Sequence, residues 1–465
     1  MKRADLSRTI ILILCLYGVF CRPRFVSSAE SITINFADTL GTFSGPVASG
    51  FTPSWADIIP DSLIYPLKPS AVRAQTAKGS PTTARTWERA EHTNAVLIIV
   101  LSDRLDTDPG DHDYNLNGEF WSAAAYDGKS YSEKMQAWID HIRRWIVFST
   151  EHQNYDVQVQ YDILNEPDIW RPDSVHYGNP RDLFFDLWNR TWAEVKYRDP
   201  SAKVTGPSFA YAGNGPASSV MGSGITFNMF LQRCKASNTL PDVLGAHNIG
   251  NSDYAAANST DGPWNLYAQI VDMRDKVASV GLNPDSFKYE INEMSHYDLP
   301  NPGVQQNHIP NVYPSVTPGV IVRQFALAER ARGDHLGLIL AARAFWRDKC
   351  AEGQGIYPVP GYGCYLSSLV NPCAVEFSPP QFLRRYAWWT YKAYADVSPR
   401  YVRPQSPDSL DAVAGVTAAG DTARILLGRY TRSSRQDLTL TVQNIDQRLV
   451  VNEAIRVSIY RMLGD

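Results

Sequence analysis

Several common signatures are missing from this sequence. After the first two dozen positions, no apolar run in its 465 residues is long enough to cross a bilayer as a helix. No glycine-rich phosphate turn follows an early strand, no CxxC pair lies near histidines, and no Ser-His-Asp set stands out. The formal net charge is −4, so no basic surface points to nucleic acid or an anionic membrane. Cysteine is scarce, with six in all. These absences exclude nucleotide-dependent chemistry, structural zinc and serine-hydrolase chemistry as first readings, and no metal or organic cofactor is expected.

Two of the six cysteines, Cys15 and Cys21, lie in a leader-like N-terminus. Lys2 and Arg3 form its basic end, Ile10 to Phe20 its apolar stretch, and Ser27-Ser28-Ala29 the small residues before a cut. The expectation is a signal peptide over 1–29, a mature start near Glu30 and a secreted protein. An uncleaved anchor is the alternative. Cys234, Cys350, Cys364 and Cys373 remain, and an oxidising compartment favours one or two disulfides, with Cys364–Cys373 and Cys350–Cys373 both open as loop clasps. Asn189-Arg190-Thr191 and Asn258-Ser259-Thr260 are glycosylation sequons.

Aromatic residues are plentiful, with 12 Trp and 24 Tyr. Their flat faces stack on the apolar faces of sugar rings, and they also fill cores. From about residue 40 to 397, short apolar runs alternate with helical periodicity. Strands are expected at Leu40–Phe43, Ser70–Gln75, Ala95–Leu101, Val157–Asn165, Ala202–Pro207, Val243–His247, Phe287–Glu293 and Leu336–Trp346. Between them, Ser130 and Glu133 form a capping-box pattern ahead of a helix, a second helix spans Trp264 to Val280, and a third spans Val320 to Arg332. Eight such units predict a (β/α)8 TIM barrel. A last helix is expected at Gln381 to Val397, then a break marked by Pro399, Pro404 and Pro407. Short strands beyond it predict a small C-terminal antiparallel, sandwich-like β module over 398–465, joined by an N-terminal strand within 30–39.

The run Tyr161-Asp162-Ile163-Leu164-Asn165-Glu166-Pro167 carries the chemistry. A β-branched strand ends in Asn-Glu-Pro, which puts a carboxylic acid at the C-terminal tip of a barrel strand, where such barrels build their sites. A second candidate sits at the end of the seventh strand, in Tyr289-Glu290-Ile291-Asn292-Glu293. Two carboxyl groups roughly 5 Å apart suit glycoside cleavage with retention, one as acid and one as nucleophile. Glu290 and Glu293 have opposite strand parity, and Glu293, nearer the active face, is favoured.

Asn-Glu-Pro with a second Glu at strand seven resembles glycoside hydrolase clan A, and within it family 39, the β-xylosidases and related retaining enzymes. Val72-Arg73-Ala74-Gln75 resembles that family's second-strand arginine motif, and Asp242 to His247 its sixth-strand run ending in an active-site histidine. Two positions depart from the pattern: Ile249 stands where a tyrosine is common, and Gln75 where a histidine is usual. The family's xylosidase activity is therefore not carried over. The resemblance implies Glu166 as proton donor and Glu293 as nucleophile. It implies Asn165 on a sugar hydroxyl, Arg73 beside Glu293, and His247 on the sugar or a carboxylate. Trp346 and Trp170 are expected to line sugar subsites. A secreted retaining glycosidase acting on an oligo- or polysaccharide is the expectation. A carbohydrate-binding protein that does not cleave is the alternative.

Overall fold

The computed structural model describes residues 9–15, 30–52, 60–75, 84–101, 128–151, 154–168, 178–210, 224–250, 265–296, 317–344, 384, 386–397, 399–406, 410–429, 438–445, 447–450 and 456–461. Two sheets organise them. Eight parallel strands close into a barrel: β3 (Gly50–Thr52), β4 (Ala71–Gln75), β5 (Val96–Leu101), β6 (Val159–Ile163), β7 (Lys203–Phe209), β8 (Val243–Gly250), β9 (Lys288–His296) and β10 (Leu338–Ala344). The expected TIM barrel is present.

The first strand is not where sequence placed it. Leu40 to Thr42 belong to β2 (Glu30–Thr42), a strand of the other sheet. The short run Gly50-Phe51-Thr52 takes the barrel position. Leu40 is buried in phase with Ile32, Ile34 and Phe36 of β2, although Asp38 interrupts the apolar alternation between them. Gly50 is hard to recognise as a strand residue. It is there because a Cβ would come within 2.9 Å of the Ala342 backbone on β10.

The helices follow from local chemistry. Ser130 N–H donates to the Glu133 carboxylate at 2.7 Å and Glu133 N–H to Ser130 Oγ at 3.3 Å, the reciprocal pair that starts the helix Tyr131–Glu151. Asn265 caps Leu266–Ser279, and Gly281 follows at φ 69°. Trp138, Ile142 and Ile146 from the first of these helices join Leu97, Ile99 and Leu101 of β5 in the layer between barrel and helices. No helix among the described residues is long and apolar enough to cross a membrane.

The second sheet has the order β14-β2-β11-β12-β13-β1-β15, with β1 (Thr9–Cys15), β11 (Arg400–Gln405), β12 (Leu410–Val416), β13 (Thr422–Arg429), β14 (Leu438–Gln443) and β15 (Arg456–Arg461). Its centre, β2-β11-β12-β13, is antiparallel as expected, while its outer pairs are parallel. The proline-marked break is itself partly strand. Pro404 lies in β11 at a register shift, where its missing N–H leaves the ladder intact elsewhere. One face of the sheet has its own core, including Ile32, Ile34, Val402 and Ile425. The other packs on the barrel helix Thr317–Gly333, so closely that a Cβ on Gly428 would lie 2.5 Å from Val322 Cβ. The apolar run read as a leader supplies β1, between β13 and β15.

Candidate active site

Inside the barrel a small apolar cluster of Ala71, Ile98 and Leu340 gives way to buried polar residues. Arg73 on β4 organises them. Its Nε donates to Asp162 Oδ2 at 2.8 Å, Nη2 donates to Asn165 Oδ1 at 2.8 Å, and Nη1 donates to Glu293 Oε1. Burial alone would lower the guanidinium pKa, but Asp162 and Glu293 outweigh it and raise it, so the cation is secure. One side chain therefore ties the second, fourth and seventh barrel strands together.

The turn bearing Glu166 is held by unusual backbone. Leu164 (φ 67°) and Glu166 (φ 51°) are both left-handed, and so is Ser208 (φ 51°) just across from them. Such conformations cost on the order of 1–3 kcal/mol each and persist only where surroundings enforce them. Here the Leu164 N–H donates to the Leu101 carbonyl at 2.9 Å and the Glu166 N–H to the Ser208 carbonyl at 3.1 Å. Ser208 also donates its hydroxyl to Asp162 Oδ1, and Asn292 Nδ2 donates to Asp162 Oδ2 at 2.9 Å. Asp162 is thus the buried post to which the turn, the arginine and β9 are all fixed.

Glu293 reaches the same space through a β-bulge. On β8 and β9, Ala246 pairs with Ile291 and His247 with Glu293, which leaves Asn292 as the extra residue. Strict alternation would send Glu290 and Glu293 to opposite faces. The bulge cancels the parity difference, and both enter the barrel. Glu290 lies deeper and fully buried, its Oε1 2.5 Å from Thr205 Oγ1. Glu293 is the higher of the two and 8% exposed.

His247 closes the group. Its Nδ1 is 3.0 Å from Glu166 Oε1 and 3.8 Å from Glu293 Oε2. Burial pushes the imidazole pKa down to about 4, against the attraction of Glu293, so the ring is neutral near neutral pH. Its Nε2 is buried without a hydrogen-bond partner among the described residues. The His247 carbonyl accepts from Gln269 Nε2 at 2.9 Å, and Gln269 Oε1 accepts from Asn248 at 2.6 Å, which anchors this part of β8. One oxygen from each glutamate and a histidine nitrogen all lie within 4.8 Å of one another. That spacing could also admit a divalent cation.

Structure therefore brings together Arg73, Asn165, Glu166, His247 and Glu293. Trp170 and Trp346 lie outside the described residues, as do Cys350, Cys364 and Cys373. Cys234 is a buried free thiol. The first sequon is a packing feature: Asn189 Oδ1 accepts from Thr239 and Ser237, and Thr191 is buried beneath the Trp138 N–H. Asn258 lies outside the described residues.

Sequence reading missed Asp162, Thr205, Ser208 and Asn292. A signal for Asp162 was present. Gln158, Gln160 and Asp162 alternate with Val157, Val159 and Tyr161 on a strand whose two faces are both covered, so the polar set has to face the barrel interior. Ser208 and Asn292 depend on a left-handed residue and a bulge, which leave no such trace.

No known family profile matches the chain. A 3-O-alpha-D-galactosyl-alpha-L-arabinofuranosidase of Bifidobacterium longum subsp. longum is 22% identical over 334 residues, covering 68% of this chain and 24% of that protein. The chain thus spans about a quarter of that relative's length. Protein N2152 of Neocallimastix frontalis superposes with a TM-score of 0.56 at 20% identity, covering 84% of this chain and 78% of that one. A GH39 enzyme of Xanthomonas axonopodis pv. citri gives 0.51 at 15% identity, covering 84% and 74%. A GH39 β-xylosidase of Caulobacter crescentus gives 0.50 at 15% identity, covering 90% and 84%. The chain has the fold of these proteins, and its structural neighbours include family 39 β-xylosidases among the glycoside hydrolases of clan A.

Proposed function

We propose that the chain is a retaining glycoside hydrolase in which Glu166 is the acid/base and Glu293 the nucleophile. The observation that carries this reading is the spacing of the two carboxylates, whose oxygens come within 4.8 Å at the C-terminal ends of β6 and β9. An inverting pair stands about 6.5–9.5 Å apart to admit water beneath the sugar, whereas a pair near 5 Å leaves room only for direct attack on carbon.

The surroundings divide the labour. Glu293 accepts from the permanent Arg73 cation through one oxygen, which leaves the other to be turned toward the anomeric carbon. Asn165 has its Oδ1 committed to Arg73, which orients the amide so that its N–H groups are the part offered to a sugar hydroxyl. Glu166 needs a proton in the first step and must lose it before the second, when it draws a proton from water. His247 suits both states. A neutral imidazole accepts from the Glu166 acid in one tautomer and donates to its carboxylate in the other, and among the described residues no partner on Nε2 fixes the choice.

The substrate we propose is a pentose-containing oligo- or polysaccharide, on the strength of the arabinofuranosidase relative and the β-xylosidase fold neighbour. Secretion, with residues 1–29 removed, belongs to the same reading. Azide rescue tests the assignments. Glu166→Ala is expected to be glycosylated slowly by an activated aryl glycoside and rescued by azide with retained configuration, while Glu293→Ala loses the first step. Equal and unrescued activity in both variants would reject the roles.

A further inference from the structure

Glu290 is a buried carboxyl inside the barrel that this mechanism leaves unused. It lies inside the barrel below Glu293, level with Gly245 of β8, where a Cβ would come within 3.3 Å of its Oε1. Its Oε2 has no hydrogen-bond partner among the described residues. Its Oε1 meets Thr205 Oγ1, which also lies 3.2 Å from the Val243 carbonyl oxygen. That hydroxyl carries one proton and has two oxygens to satisfy.

We infer that Glu290 is held as a neutral carboxylic acid, and that its neutrality leaves the charge of Arg73 to Asp162 and Glu293, making Glu290 a positioning residue for the proposed nucleophile. A protonated Oε1 donates to Thr205, and Thr205 donates to the Val243 carbonyl, so one chain of bonds satisfies all three groups. An unpartnered Oε2 is then a carbonyl oxygen, far cheaper to bury than half of a carboxylate. The charged groups facing Glu290 divide, and burial decides between them. Asp162 on β6 repels its ionised form, while Arg73 on β4 and Lys203 on β7 attract it. Thr205 is uncharged, β8 opposes it with Gly245, and the next strand β10 carries buried Arg343 beside Met294. Burial dominates and pushes its pKa up to about 7, a direction that matches the bonding argument.

Ionisation of Glu290 therefore puts a third carboxylate beside one arginine. The hold on Glu293 weakens, and activity falls at a pH set by Glu290 rather than by Glu166. The positioning role rests on the proposed function, whereas the protonation state does not, and the experiment separates them.

Infrared spectroscopy of the full chain resolves the carbonyl stretch of a protonated carboxyl from that of a carboxylate. A protonated-carboxyl band is expected near pH 6, titrating away in the neutral range and missing from Glu290→Gln. Should that variant fail to fold, Thr205→Val is expected to keep the band and shift its frequency, because the acid loses its acceptor. No band assignable to Glu290 by either route overturns the protonation state. For the positioning role, Glu290→Gln is expected to move the alkaline midpoint of kcat/KM upward by roughly one pH unit. An unmoved midpoint, with the band present, overturns that role alone.

Discussion

Arg73 and Asp162 form an ion pair with no solvent on either side chain, Nη2 standing 2.6 Å from Oδ2. Such a pair returns little stability over an apolar core, because both ions have left water. Its use lies in geometry: Asp162 fixes the arginine that touches Asn165 and Glu293. Replacing one partner is then far worse than never having built the pair. Arg73→Ala leaves Asp162 and Glu293 buried without their cation, and unfolding stability is expected to fall by about 3–5 kcal/mol. Arg73→Lys restores charge but not the fork that reaches three acceptors. We expect it to fold and to lose on the order of 100-fold in kcat, about 2.7 kcal/mol of transition-state stabilisation. Denaturant melts and aryl-glycoside kinetics separate the two losses, and a lysine variant with full activity refutes the role given to the fork.

His247 carries a pH signature. Its folded pKa, about 4, lies below its ordinary value of 6.5, so the unfolded chain binds the proton more readily between those values. Its contribution is complete above pH 6.5 and declines as pH falls toward 4, with an upper bound of about 3 kcal/mol. Melting temperatures measured across that window should fall more steeply with acid for the native chain than for His247→Gln. Parallel curves would contradict a buried neutral ring.

Asn292 is the bulge residue and a double donor, bonded to Asp162 and, at 2.6 Å, to Ser208. Asn292→Ala removes two bonds from buried oxygens and should cost about 1–3 kcal/mol. Because the bulge aims Glu293, kcat is expected to drop by more than KM rises. A variant that loses stability with its turnover intact would show that the backbone alone keeps the bulge.

Docking of the second sheet can be probed at Gly428. Any Cβ there collides with Val322 Cβ and approaches the Gly319 backbone at 3.0 Å. Gly428→Ala is expected to destabilise by about 1–3 kcal/mol, read from chemical denaturation. No change in the midpoint would mean that the sheet rides loosely on the helix.

Much of this was legible in sequence for a physical reason. Barrel strands buried on both faces give apolar runs, and capped helices such as Tyr131–Glu151 announce their starts, so seven of eight barrel strands stood out. The eighth, Gly50-Phe51-Thr52, is too short to show a period. At the site, Arg73, Glu166 and Glu293 were found because they end or line strands in motif-like runs. Glu293 was favoured for its place at the strand's end and parity set it against Glu290, yet the bulge at Asn292 lets both face inward. Asp162 is less conspicuous because it lies within β6, on the strand's polar face, rather than at its tip.

The placement of β1 bears on processing. Thr9–Cys15 is an interior strand, paired through all seven residues with β13 on one side and through Thr9 to Leu14 with β15 on the other. Among the described residues the first and last strands are thus interlocked, and β15 has no other strand neighbour there. A cut at residue 29 would turn an interior lane of the sheet into an open rim on β13 and cast β15 loose with its exposed Val457, Ile459 and Tyr460. Precursor and mature chain would then differ in topology as well as in length, with the final strand obliged to find a new register.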